Sequence, residues 1–137
     1  MVDNSKLFDK FILNNKVEVS NRLVVAPMCL FGSTDEGEIT DEERSYLSQR
    51  ATGIGLYILG ASAVSQEGLG IKNQTRAFSE KDIPSLKERA KIIKDQGALA
   101  IAQIVHAEMY GGKNASGKSA LCPSASESLM IILEMKN

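Results

Sequence analysis

Three short, nearly uninterrupted apolar runs constrain this chain most: Leu23 to Met28, Leu56 to Leu59, and Ala98 to Val105. Each suits a strand buried on both faces. Between the first and second lies a stretch with helix signals, and another lies between the second and third. The order is therefore strand, helix, strand, helix, strand. Alternation of this kind predicts an α/β fold with a parallel sheet and helices packed outside it. A doubly wound sheet and a (β/α)8 barrel both satisfy it. Three units do not decide between them, and a complete barrel takes roughly 250 residues, against the 137 present.

The helix boundaries are written in local chemistry. Thr40-Asp41-Glu42-Glu43 reads as a capping box, in which Thr40 and Glu43 satisfy orphan amides at a helix start. That helix should run to about Ala51 and stop at Gly53. A second helix should be capped by Asp82 and turn Ile83, Leu86, Ala90 and Ile93 to one face, with Pro84 tolerated in the first turn and Gly97 as the stop. Before the first core strand, Leu7 to Val19 reads as a hairpin or cap turning at Asn14-Asn15, offering Phe8, Phe11 and Ile12 to an apolar surface. From Gly111 onward the chain becomes polar and glycine-rich, with one late apolar run at Leu129 to Leu133.

Composition narrows the function. Sixteen basic and seventeen acidic residues give a formal charge of -1, so no long-range field draws the chain to nucleic acid or to an anionic membrane. Cys29 and Cys122 have no second Cys or His at zinc-ligand spacing, and His106 is the sole histidine, so no metal site is expected. The N-terminus lacks the charged-then-apolar order of a targeting segment, and no run nears the ~18 apolar residues of a spanning helix. A cytoplasmic location is the expectation.

In a parallel βα arrangement the loops after the strand C-termini gather on one side, and binding residues concentrate there. Those positions are Pro27-Met28-Cys29, Gly60-Ala61-Ser62 and Gln103-Ile104-Val105-His106. Small, apolar, amide and thiol groups in that arrangement suit a flat amphipathic ring and not a hydrolytic triad. Asn21-Arg22 before the first strand, Ala26-Pro27-Met28-Cys29 at its end, Gln49-Arg50-Ala51 in the first helix, Gly60-Ala61-Ser62-Ala63-Val64 and Gln103-Ile104-Val105-His106-Ala107 together resemble the Old Yellow Enzyme family of NADH:flavin oxidoreductases and NADH oxidases. The likeness runs from about Asn4 to Ser126.

The resemblance implies a TIM barrel of which this chain holds the first three βα units behind a short N-terminal hairpin. It implies FMN as cofactor, NAD(P)H as reductant and a small-molecule electron acceptor. It places Pro27, Met28 and Cys29 at the reactive edge of the flavin, Ala61 beside the ring and Gln103 on its pyrimidine edge. Pro27 has no amide hydrogen and fixes the turn, while the Gln103 amide both donates and accepts. Cys29 is similar to the branch in which a cysteine replaces a threonine near the ring; read alone, it is a small buried hydrophobe. The catalytic residues stay unknown. Two departures stand out: His106-Ala107-Glu108-Met109 replaces the family's His-Ala-Gly-Arg, and Phe31 stands where that branch often has Tyr. His106 reads as a structural residue at the end of its strand.

The family's substrate-gripping pair and phosphate loops belong to later strands. The expectation is thus residues 1–128 as the N-terminal part of the oxidoreductase barrel, residues 129–137 as a divergent or truncated tail, and an isolated chain that is inactive. Two alternatives stay open. Gly112 to Ser119 matches the P-loop letter for letter, but no strand leads directly into Gly112 and Pro123 would break a helix opening at Gly117, so a polar surface loop is expected. The other is a non-enzymatic barrel fragment that associates through exposed edges, as a homo-oligomer or with another chain.

Overall fold

A computed structural model describes residues 4–107 and 113–117. A short 3-10 turn (Ser5–Phe8) leads into β1 (Phe11–Ile12), which pairs antiparallel with β2 (Glu18–Val19). Asn14 and Asn15 occupy the centre of the connecting turn, closed by a bond from Lys16 N to Leu13 O of 2.8 Å; Lys16 itself takes a left-handed φ of 65°. The hairpin is as expected, but it covers little: Phe8, Phe11 and Ile12 remain exposed and only Val19 is buried.

The core sheet is β3 (Val24–Val25), β4 (Leu56–Ala63) and β5 (Leu99–Val105), parallel and ordered β3-β4-β5. α1 (Asp41–Ala51) joins the first two strands and α2 (Ile83–Asp95) the second two. Both helices lie on one face. Leu47, Ala51 and Ile93 form one buried cluster with Tyr57, Leu59 and Ala98, and Val25 and Ala100 pack against it. Sequence-adjacent parallel strands with both helices on one side make one singly wound layer, an arrangement that a barrel wall repeats around its circumference and that half of a doubly wound sheet shares.

Three details depart from the expected elements. The first strand is hydrogen-bonded only over Val24–Val25 and returns as a single parallel bridge from Cys29 to Gly60. Pro27 has no N–H to donate, and the Pro27-Met28 backbone crosses Gly60 so closely that a Cβ there would sit 2.7 Å from Met28 N. β4 runs past Gly60, its expected end, because a returning segment pairs with its far end: Ala63 N bonds Thr75 O at 2.9 Å and Ala77 N bonds Ala63 O at 2.8 Å. Asp82 holds the N-cap position of the second helix, as expected, but its side chain makes no cap bond to that helix. Asp82 is the reciprocating acid of a capping box around an opening 3-10 turn, Glu80–Asp82.

The capping box expected at α1 is half made. Thr40 Oγ1 accepts from Glu43 N at 3.3 Å, but the Glu43 carboxylate turns inward to Arg89 of α2. Arg89 is fully buried and grips it with two bonds of 2.8 Å. The same guanidinium reaches Ser33 Oγ at 2.9 Å and Gly37 O at 3.3 Å, so every side of this buried pair is hydrogen-bonded. The stripe α2 buries is thus centred on Arg89 and Ile93, and Ile83 is exposed. At the surface, Arg44 forks onto Glu88 across the two helices and holds that carboxyl below its ordinary range. α3 (Lys113–Ser116) is a single turn after β5.

Candidate flavin-edge site

The three strand ends named from the sequence meet. β4 and β5 pair in step up to Leu59 and Ala102, then resume at Ser62 and Ile104. Gly60 and Ala61 therefore stand opposite the single residue Gln103, a β-bulge that sharpens the local twist. The same Gly60 carries the bridge to Cys29 on its other side. Pro27-Met28-Cys29, Gly60-Ala61 and Gln103 are consequently consecutive across the sheet at one level.

Their surroundings differ. Pro27 and Met28 are exposed, Met28 at 55%. Cys29 is a half-buried free thiol. Gln103 is exposed, and its side-chain amide makes no hydrogen bond with the described residues. Ala61 is buried, and its carbonyl accepts from Gln74 Nε2 at 2.9 Å. Sequence reasoning misses Gln74. It ties the long loop after β4 to the bulge, and its other amide atom accepts from Gly70 N at 3.0 Å. No local pattern reports such a contact, because it depends on a loop folding back 13 positions.

His106 packs its ring against Gly68, where a Cβ would lie 2.7 Å from His106 Cδ2, and Ala107 N bonds Gly68 O at 3.0 Å. It closes the end of β5 against the β4 loop. Phe31 is 67% exposed and borders a cleft of about 260 Å³ with Leu30, Glu42, Glu43 and Tyr46. The four residues between the glycines of the P-loop pattern form the α3 turn, which ends at Gly117 with a left-handed φ of 73°. A phosphate cradle needs a helix that opens at that glycine, so the geometry gives no support to that reading. Glu108, Met109, Lys118, Ser119, Cys122 and the boundary at residue 128 lie outside the described residues. Among the described residues there is no cluster of metal-ligating side chains and no helix long and apolar enough to cross a membrane.

The site fits the edge of an isoalloxazine ring. Gly60 leaves the backbone bare at the centre, Pro27 and Met28 give an exposed apolar flank, and Gln103 brings an unengaged donor and acceptor to the other flank. The NADH:flavin oxidoreductase / NADH oxidase family profile matches residues 6–131. The Bacillus subtilis protein named "Probable NADH-dependent flavin oxidoreductase YqiG" is 34% identical over 100 residues, which are 73% of this chain and 27% of that protein. The structure of an old yellow enzyme homologue from Zymomonas mobilis superposes with a TM-score of 0.81 at 30% identity, covering 89% of this chain and 34% of that one. An Old Yellow Enzyme from Pichia gives 0.78 at 26% identity, with 88% and 32% covered.

This chain belongs to the NADH:flavin oxidoreductase / NADH oxidase family. The family's cofactor is FMN, with NAD(P)H as its reductant. The chain spans about a quarter of the length of the Bacillus relative and about a third of these two structures.

Proposed function

We propose that this chain provides the first three βα units of an FMN-dependent NAD(P)H oxidoreductase barrel, of the ene-reductase or NADH oxidase type, with Pro27, Met28, Cys29, Ala61 and Gln103 at the edge of the flavin ring. One observation carries the reading. The bulge and the Cys29–Gly60 bridge bring three separate strand ends to one level around a bare glycine backbone.

When bound, FMN supplies hydride transfer between NAD(P)H and a small electron-poor acceptor. The chain's own residues orient it and set its electrostatics. The Gln103 amide donates to the pyrimidine edge and favours the extra negative charge that reduction brings there. Pro27 holds the turn, and Met28 shields the ring from water. The Cys29 thiol, half-buried beside Gly60, adjusts the ease of reduction through its own polarity. The described residues meet one edge of the ring.

The test is a chimera in which residues 6–131 replace the matching segment of the Bacillus relative. It should purify yellow, with FMN retained. Gln103→Leu should weaken FMN binding about tenfold, the loss of one good hydrogen bond in a buried site, and Gly60→Val should abolish it by displacing the Pro27-Met28 backbone. A folded chimera without flavin, or one whose flavin is indifferent to both substitutions, overturns the proposal.

A further inference from the structure

A second concavity lies at the same end of the sheet. It is walled by Asp35 from the loop after β3, by Lys72, Asn73, Gln74 and Arg76 from the loop after β4, and by Ala115 of α3, and encloses about 140 Å³. Loops from all three strands thus contribute to it, the position at which parallel sheets bind ligands. None of its polar residues belongs to the proposed flavin edge.

Arg76 is held in place from several sides. Its stem crosses Gly37, where a Cβ would lie 2.5 Å from Arg76 Cγ and where φ is +84°, so only glycine leaves room. Nη2 donates to the Asp35 carbonyl, and the guanidinium stands 5.5 Å from the Phe78 ring centre. Among the described residues the rest of its donor fork is unengaged: Nε is buried with no hydrogen-bond partner, and so is the Oδ1 of Asn73, another residue of the cavity wall. Lys72 sits at the exposed rim, with Nζ 3.6 Å from Asp35 Oδ1. Two cations therefore face one carboxylate. Asp35 engages Lys72 loosely, and it meets Arg76 only through its neutral carbonyl. A preorganised guanidinium with spare donors is the group that binds planar oxyanions best. Gln74 forms the link to the neighbouring site, since its amide bonds Ala61 O at the bulge.

We propose that this cavity is an anion subsite, in which Arg76 and Lys72 take a carboxylate or phosphate carried by the molecule that reacts at the adjacent flavin edge. Only the identity of that molecule rests on the flavin reading; the capture of an anion does not. A carboxylate would come from the electron acceptor, and a phosphate from the nicotinamide dinucleotide.

The Arg76 Nε–Hε resonance of the 137-residue chain, assigned by its loss in Arg76→Lys, reports the site directly. Sodium succinate and sodium pyrophosphate are titrated separately, with sodium chloride holding ionic strength constant. A saturable shift with succinate assigns the site to a carboxylate, with pyrophosphate to a phosphate, and with both to either oxyanion. Arg76→Gln should remove the response, followed on the Lys72 side-chain signals. Lys72→Gln, an exposed substitution that leaves folding intact, should weaken binding about tenfold, as expected for one charge-assisted hydrogen bond. Gln103→Leu should leave the titration unchanged, so a failure of the flavin edge is distinguishable from a failure here. No saturable shift with either anion, or full affinity in Lys72→Gln, overturns the proposal and leaves Arg76 as a latch on the Asp35 turn.

Discussion

The two faces of the β3-β4-β5 sheet are similarly apolar and meet different surroundings. On one, Val25, Tyr57, Leu59 and Ala100 lie under α1 and α2. On the other, Val24 pairs in register with Leu56 and Leu99, and Ile58 with Ile101; Val24 is 51% exposed and Ile101 40%. Alternating polarity would mark a sheet meant to have one wet face, and these strands do not alternate. Their uniform apolarity fits a wall whose second face becomes the packed interior of a closed barrel. The lesson is that the helix-covered face holds the described residues together, while the open face and the outer edges of β3 and β5 meet no further strand among the described residues.

The strongest way to break the covered side is to attack its buried ion pair. Arg89→Ala leaves the Glu43 carboxylate buried without its partner and releases Ser33 and Gly37 of the loop after Cys29. We expect a loss of about 3–5 kcal/mol in urea unfolding, enough to unfold a marginal domain. The double substitution Glu43→Gln with Arg89→Met removes both charges, and should be milder. If the double is as damaging as Arg89→Ala, the pair matters for packing and not for charge.

A matched pair of truncations sharpens the contrast between faces. Leu47→Ala, at a fully buried position of the covered side, should lose about 2–5 kcal/mol. Ile101→Ala, on the open face, should lose less than about 1 kcal/mol, and should reduce self-association measured by sedimentation or size-exclusion chromatography. Equal losses at the two positions would mean that the open face is already packed in solution.

The unequal legibility of the chain follows from range. Asn14-Asn15 in the hairpin turn, Gly53 after α1 and Gly97 after α2 act through their own backbone, with left-handed φ of 74° and 85° at the two glycines, so they can be read locally. The convergence of Pro27, Cys29, Ala61 and Gln103 was legible too, because parallel strands joined by helices bring their C-terminal ends together. The bulge was not, since it exists only in the pairing of β4 with β5. Arg89 was hidden for a physical reason: a charge on an amphipathic helix reads as the wet side, and the carboxylate that draws it inward stands 46 positions earlier. Ser79 and Asp82 are both good caps, and each heads its own element; only the opening 3-10 turn shows that the Asp82 carboxylate turns back to Phe78 N and Ser79 N.

The mildest probe of the covered face is alkaline pH. Burial, with a smaller contribution from the Tyr46 phenol and an opposing one from Arg50, pushes the Tyr57 phenol from 10.0 up to about 12. In the unfolded chain the phenol ionises near its ordinary value, so between 10 and about 12 the unfolded state has lost a proton that the folded state keeps. The contribution of Tyr57 to stability is therefore complete below pH 10 and disappears as pH rises through about 12. Tyr57→Phe keeps the ring in the core and removes the titration. It should match the parent below pH 10 and lose about 1 kcal/mol less above it, in urea midpoints measured across the window. Among the described residues the open face carries no buried phenol, so Ile101→Ala should shift the curve without changing its slope. A parent and Tyr57→Phe with parallel profiles up to pH 12 would mean that the phenol reaches water in the folded chain, and that the covered face is looser at Tyr57 than its burial indicates.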